Sequence, residues 1–251
     1  MPLDFARRLV GVDRTASADR RLGATLAFVA GAMNAGGFLA VHQYTSHMTG
    51  IVSAMADHLA AGAPDLAAAG LGALLAFVAG AACSAILVNF GRRRALRSVF
   101  AAPLLLEALL LLAFGLLGAR LAERSALFVP ITVLLLCFIM GLQNALVTKL
   151  SYGEMRTTHV TGIVTDIGIE LGKMLYWNRS APAALAPVRA DSARLAGLAL
   201  LGASFLVGAL VGALAFQHVG YVATVPLAAI LVMLAAVPTL DDVVAALRGP
   251  A

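Results

Sequence analysis

Six runs of apolar residues dominate the chain, at about 23–42, 67–90, 99–119, 126–148, 195–216 and 219–238. Each is long enough, at ~1.5 Å per helical residue, to cross the ~30 Å hydrocarbon layer of a bilayer. Inside that layer every backbone N–H and C=O must be satisfied locally, so runs of this length are helices. A soluble fold is excluded by the same count. Of 251 residues, 61% are hydrophobic and 12% charged, against roughly 25% charged in soluble domains.

The charges that remain punctuate the runs. The net charge of +5 is not gathered on one basic face, which argues against a nucleic-acid partner and for orientation in a membrane. Arg7, Arg8, Arg14, Arg20 and Arg21 precede a first run too long for a signal-peptide core, so that run is a retained helix. With six spans, sixteen of the eighteen Lys and Arg residues fall on one side and only Arg120 and Arg124 on the other. If the stretches 43–66 and 150–178 crossed as well, the split would weaken to twelve and six. The positive-inside rule therefore selects six spans with both termini cytoplasmic. Cys83 and Cys137 sit in apolar runs without redox or metal spacing and read as small hydrophobes. Pro64, Pro103, Pro130, Pro182 and Pro187 mark span edges and loops.

The chain repeats itself. Gly31, Asn34 and Ala35 recur as Gly141, Asn144 and Ala145, and Ser46, His47, Thr49 and Gly50 recur as Thr158, His159, Thr161 and Gly162. Three crossings separate the copies, and an odd number inverts the second. The expected architecture is an all-α membrane protein of six transmembrane helices in two inverted three-helix repeats, each with a short re-entrant or half-helix segment. A basic cytoplasmic N-terminus (1–22) precedes repeat 1 (23–119) and repeat 2 (126–240), within one membrane domain. Inverted repeats of this kind place a polar site near the midplane.

The motif stretches carry chemistry suited to that place. A helix from Gly50 to Ala63 would reach only ~21 Å, short of a crossing. Ser46 or Thr49, and Thr158 or Thr161, are natural N-caps, and Gly50 and Gly162 permit close backbone approach. Two inward-facing helix N-termini would favour an anion or a polar neutral solute. The competing reading makes these side chains interhelical hydrogen bonds that fix packing. His47 and His159 can carry protons, since imidazole titrates near neutrality.

Further polar residues lie at apparent membrane depth. Asp166, Glu170 and Lys173 follow His159 along one helical stripe, where the carboxylates can reach the lysine; Asp166, one turn past Gly162, is expected to lie deeper. Glu107 stands alone among leucines and must face the bundle interior, be paired or be protonated. Glu107 and Glu170 are the candidate proton relay. Asn34, Asn89, Gln143 and Asn144 are intramembrane amides, of which the repeat duplicates Asn34 and Asn144. Gly208 and Gly212 form a small-residue face that can serve packing or a dimer seam in a homo-oligomer.

Ala30 to Phe38, Ser46 to Gly50, Gly141 to Ala145, and Arg156 through His159 and Gly162 to Asp166 and Gly172 together resemble the YoaK-like family of bacterial multi-pass membrane proteins of unknown function. The resemblance runs from about Leu22 to Leu240 and departs at Asn34 and Ile51, where that family commonly carries Asp and Asn. It implies a six-span protein of the bacterial plasma membrane and supplies no substrate.

The residues themselves suggest a small-solute transporter or channel-like permease. Its site would draw on Asn34, Ser46, His47, Thr49, Gly50, Asn144, Thr158, His159, Thr161, Gly162 and Asp166, with the lipid bilayer and a small polar or anionic solute as partners. A non-transporting scaffold or sensor is the rival. An intramembrane enzyme using His159, Asp166 and Glu170 for acid-base or metal chemistry ranks last, since no nucleophile motif, HExxH or phosphate-cradling Gly-rich loop is present; no enzyme activity, metal or cofactor is expected.

Overall fold

The structure, a computed structural model, describes residues 16–96, 98–121, 125–150, 157–178 and 187–247. Among these it is all helical: α1 (Ala16–Val41), α2 (Met48–Ala60), α3 (Pro64–Arg93), α4 (Ala101–Leu121), α5 (Ser125–Leu150), α6 (Val160–Leu175), α7 (Ser192–Val219), a single 3-10 turn (Gly220–Ala223) and α8 (Thr224–Leu247). Five stretches are long and apolar enough to cross a membrane, and the last of them, Ser192–Val244, runs through both α7 and α8. The turn between these two is made at Gly220, whose φ of 62° favours glycine.

Point contacts fix the helix directions. Arg20 lies against Gly197 and Phe216 against Gly36, so α1 and α7 run parallel. Gly72 meets Leu134, Gly80 meets Phe138, and Lys149 reaches Asn89, so α3 and α5 also run parallel. Leu136 covers Gly37 and Gln143 bonds to the Leu26 carbonyl, which makes α5 antiparallel to α1. Tyr221 packs on Gly118 and Thr224 on Gly115, while Asp242 accepts from Ser98, so α8 runs back along α4. The long helices α1, α3, α4, α5, α7 and α8 thus alternate in direction along the chain. The starts of α1, α4 and α7 and the ends of α3, α5 and α8 share one end of the bundle. Arg20, Arg21, Arg92, Arg93, Arg94, Lys149, Lys173, Arg189 and Arg194 all belong to elements that start or finish there.

Two helix pairs pack by backbone contact, and the two contacts are alike. A Cβ on Gly31 would overlap the carbonyl of Phe205, and one on Gly208 the carbonyl of Phe28. In α3 and α5, a Cβ on Gly80 would overlap the carbonyl of Phe138, and one on Gly141 that of Phe77. Each pair therefore crosses at a Phe-x-x-Gly facing a Phe-x-x-Gly, a small-residue packing that lets backbones touch where no hydrophobic force drives helices together. Gly212 meets Ala32 in the same seam. The Gly208 to Gly212 face serves packing within the chain.

The main apolar core gathers Leu22, Leu26, Val29 and Met33 of α1, Leu104, Leu111 and Phe114 of α4, Leu136, Ile139, Met140 and Leu146 of α5 and Leu227, Leu231 and Leu234 of α8. Phe114, Phe216 and Tyr221 close it at one end, with Tyr221 edge-on to Phe114. Many large apolar side chains face outward, including Leu75, Ile86, Leu109, Leu116, Leu206 and Leu210, as a lipid-facing surface requires. Cys137 is buried and Cys83 partly so, both as free thiols. Pro130 and Pro238 lie inside helices, Pro130 at the edge of the apolar span Val129–Leu150. Pro182 and Arg156 lie outside the described residues.

Candidate functional site

The motif stretches form α2 and α6, of 13 and 16 residues, or ~20 and ~24 Å, too short to cross. Each folds back along the helix that follows it. Met55 lies on Gly70, and Ile51 shares a buried cluster with Ala73 and Cys137. In the second copy Ile163 lies on Gly202 and shares a cluster with Leu201 and Ala27. Ile51 and Ile163 each meet a residue nine positions into the following helix, ~14 Å from its start. Both short helices therefore begin well inside the bundle. Since α1 and α3 are antiparallel, as are α5 and α7, the chain reverses direction between the two long helices that flank each short one.

The reversal into α2 starts at His42, with a left-handed φ of 54°, and Phe38 stacks on Tyr44 across it at 4.5 Å. The chain then descends until the Ser46 hydroxyl donates to Asn34 Oδ1 at 2.8 Å. Thr158 donates to Asn144 Oδ1 at 2.6 Å in the same way. The next residue, His47 or His159, occupies the N-cap position, and neither side chain makes a capping bond. This corrects the expectation that Ser46, Thr49, Thr158 or Thr161 would cap: the two hydroxyls that precede the histidines reach the preceding long helix instead. Each imidazole folds back over its own helix, where a Cβ on Gly50 or Gly162 would overlap Nδ1. Gly50 and Gly162 are thus needed to admit the ring. Thr49 and Thr161 lie one residue earlier in the first turn and are exposed, as are both histidines.

Structure brings the motif together within each copy and not between copies. Asn34, Ser46, His47 and Gly50 meet one another, as do Asn144, Thr158, His159 and Gly162; among the described residues no hydrogen bond joins one set to the other. The α1–α5 register sets Asn34 near Cys137, and Asn144 lies seven residues further along α5, ~10 Å in depth. Asn144 is further held by its own amide, which donates to the Met140 carbonyl.

Asp166 pairs with Arg194 of α7 at 3.2 Å, and both side chains are partly exposed. It does not join the Lys173 ladder; it lies in the N-terminal, inner half of α6, deeper along the helix than Glu170 and Lys173. Glu170 is buried and bonds Lys173 at 2.8 Å and the backbone N–H of Asp191 at 2.8 Å. The Lys173 ammonium and that N–H hold its carboxyl below the usual carboxylate range. Asp191 in turn caps α7 through the N–H groups of Ala193 and Arg194. Glu170 therefore ties the end of α6 to the start of α7. The first copy has His58 at the corresponding place and no such tie.

Glu107 is fully buried, with neither oxygen partnered among the described residues; Ser84 Oγ, Thr132 Oγ1, Gln143 Oε1 and Thr157 Oγ1 are buried and unpartnered too. Ser84, Thr132 and Thr157 escaped the sequence reading. For the two span residues the only signal was a lone hydroxyl in an apolar run. Thr45, equivalent to Thr157, is likewise buried. A shallow recess of about 240 Å³ lined by Arg20, Arg21, Ala196, Gly197 and Leu200 lies at the basic end, apart from both motif copies. No group of three or more His, Cys, Asp or Glu fit to hold a metal occurs among the described residues.

A family profile described as "Protein of unknown function (DUF1275)" matches residues 22–237. No curated protein and no solved structure matches the chain significantly. With the match spanning both motif copies and all the long helices, the chain belongs to this family of proteins of unknown function.

Proposed function

We propose that the chain is a small-solute permease or channel-like transporter of the bacterial plasma membrane, with six spans in two inverted halves. The observation that carries this reading is the pair of short helices. Each enters the bundle from its own end and starts at depth with its first-turn N–H groups uncapped by side chains. Helix N-termini carry partial positive charge, and two of them directed inward from opposite ends suit a small anion or a polar neutral solute. The recurrence of the Phe-x-x-Gly crossing and of the hydroxyl-to-Asn bond supports a two-fold relation between the halves. Alternating helix directions support six crossings. The basic end would be cytoplasmic, which puts both termini there. Asn34, Ser46, His47, Thr49 and Gly50 with Asn144, Thr158, His159, Thr161 and Gly162 would form the path, and no chemical transformation is part of it.

The second reading is a scaffold or sensor without transport. The bonds from Ser46 to Asn34 and from Thr158 to Asn144 favour it, because they use the motif hydroxyls for packing. Flux into proteoliposomes separates the two, measured for small anions, amino acids and sugars with and without a pH gradient. A permease moves at least one class, and His159→Ala or Asn144→Ala reduces that flux. A chain that is folded and inserted yet moves none of them sinks the proposal.

A further inference from the structure

Three buried polar side chains on adjacent helices share one depth, and they offer oxygen atoms alone. Ser84, Val88 and Gly91 line the buried face of α3, and Gly91 touches Val99 where the chain turns into α4. Ser84 lies seven residues before that contact and Glu107 eight residues after it, so the two stand level, ~11–12 Å in from the turn. The parallel register of α3 and α5, set by Gly80 on Phe138 and by Asn89 with Lys149, puts Ser84 beside residues 143–145. Gln143 is the buried one with a free oxygen. Its amide nitrogen already donates to the Leu26 carbonyl at 3.1 Å, which leaves Oε1 as the unpartnered end. Val88, Leu104, Ala108, Met140 and Leu146, which flank the three, belong to one buried cluster.

A buried polar atom without a partner in a native fold calls for a water, an ion or a functional role, and an unpaired carboxylate at membrane depth is the costliest case. Four such atoms belong to the three residues at this depth: Ser84 Oγ, both oxygens of Glu107 and Gln143 Oε1. Among charged and titratable side chains described on the elements against α4 are Cys83, Arg92 and Arg93 of α3, Cys137 and Lys149 of α5, Tyr221 of the turn and Asp242 of α8. Lys149 reaches Asn89, Asp242 accepts from Ser98, and none pairs with Glu107.

We propose that Ser84, Glu107 and Gln143 form a buried site for one monovalent cation, a proton or a sodium ion. A single carboxylate supplies one negative charge, which one such cation neutralises; hard oxygen ligands suit sodium, and a proton would reside on the Glu107 carboxyl itself. In the second half the corresponding helix, α8, carries no carboxylate before Asp241, so the site breaks the two-fold relation. It rests on the permease reading only in its consequence, that this cation is the coupling ion.

The test is thermal unfolding of the purified full chain, which needs no known solute. Sodium is exchanged for choline at constant ionic strength, at several pH values, for wild type, Glu107→Gln, Ser84→Ala and Gln143→Leu. A ligand that binds the folded state raises the midpoint. For a sodium site the midpoint rises with sodium near neutral pH. For a proton site sodium has no effect, and lowering the pH stabilises wild type relative to Glu107→Gln. In either case Glu107→Gln loses the response, and Ser84→Ala and Gln143→Leu shift it to higher cation concentration. If Glu107→Gln does not fold, Glu107→Asp keeps the charge and must still shift the titration. A wild type indifferent to sodium with the same pH response as Glu107→Gln overturns the site, as does an unshifted Glu107→Asp. Cation binding without any solute flux would overturn the permease reading and leave this one standing.

Discussion

Thr158 donates its hydroxyl to the side-chain oxygen of Asn144 at 2.6 Å, joining the entry of α6 to the α5 helix it has just left. Ser46 and Asn34 repeat the bond at 2.8 Å. Interhelical hydrogen bonds in membranes average ~0.6 kcal/mol with a ceiling near 1.7. Double-mutant cycles of Ser46→Ala with Asn34→Ala, and of Thr158→Val with Asn144→Ala, should each return a coupling of about that size. Unfolding free energies in mild detergent measure it, and coupling indistinguishable from zero in both copies would mean that the bonds do not hold the short helices.

Backbone contact at the two Phe-x-x-Gly crossings leaves no space for a side chain. Gly80→Val and Gly208→Val should each push a helix pair apart and cost at least about 1–3 kcal/mol, the usual range for overpacking. Gly168 has open space around its Cβ position, so Gly168→Ala should be neutral or stabilise by up to about 1 kcal/mol. Melting midpoints compare them. Similar tolerance at all three positions would contradict the close approach.

Glu170 links α6 to the start of α7 while it is ionised. Its folded-state carboxyl is held below the ordinary range by Lys173 and the Asp191 N–H, so its contribution is present above the unfolded pKa of about 4.3. It is lost as the pH falls through the lower folded value. The protection of the Asp191 amide against hydrogen exchange, relative to its intrinsic rate at each pH, should therefore fall on acidification in wild type. Glu170→Gln should show low protection at every pH; an amide equally protected in that variant would rule the tie out.

Neither short helix should carry the chain across. Single cysteines at Ala61, on the turn between α2 and α3, and at Asp65, in the first turn of α3, should react with an impermeant thiol reagent from outside intact cells, in a background with Cys83 and Cys137 replaced. Cysteines at Arg94 and Arg194 should react only after the membrane is opened. Labelling of Arg94→Cys from outside would put α3 the other way round.

The long helices were legible in the sequence because a bilayer imposes a length and an apolar composition that no later packing alters. The repeat was legible because residue identities such as His47 with Gly50 and His159 with Gly162 recur at matching spacing. Tertiary structure decided what those residues touch. Ser46 and Thr158 looked like helix caps because capping is local, yet both bond to an Asn on the preceding long helix, which only the reversal of the chain brings within reach. Asp166 looked like a partner of Lys173 one or two turns away, and Arg194 of another helix takes it instead. Ser84, Glu107 and Gln143 come from three different helices, and only helix direction and register set them at one depth. Sequence periodicity reports neighbours along one helix; which faces of separate helices meet depends on the close crossings at Gly31, Gly80, Gly141 and Gly208.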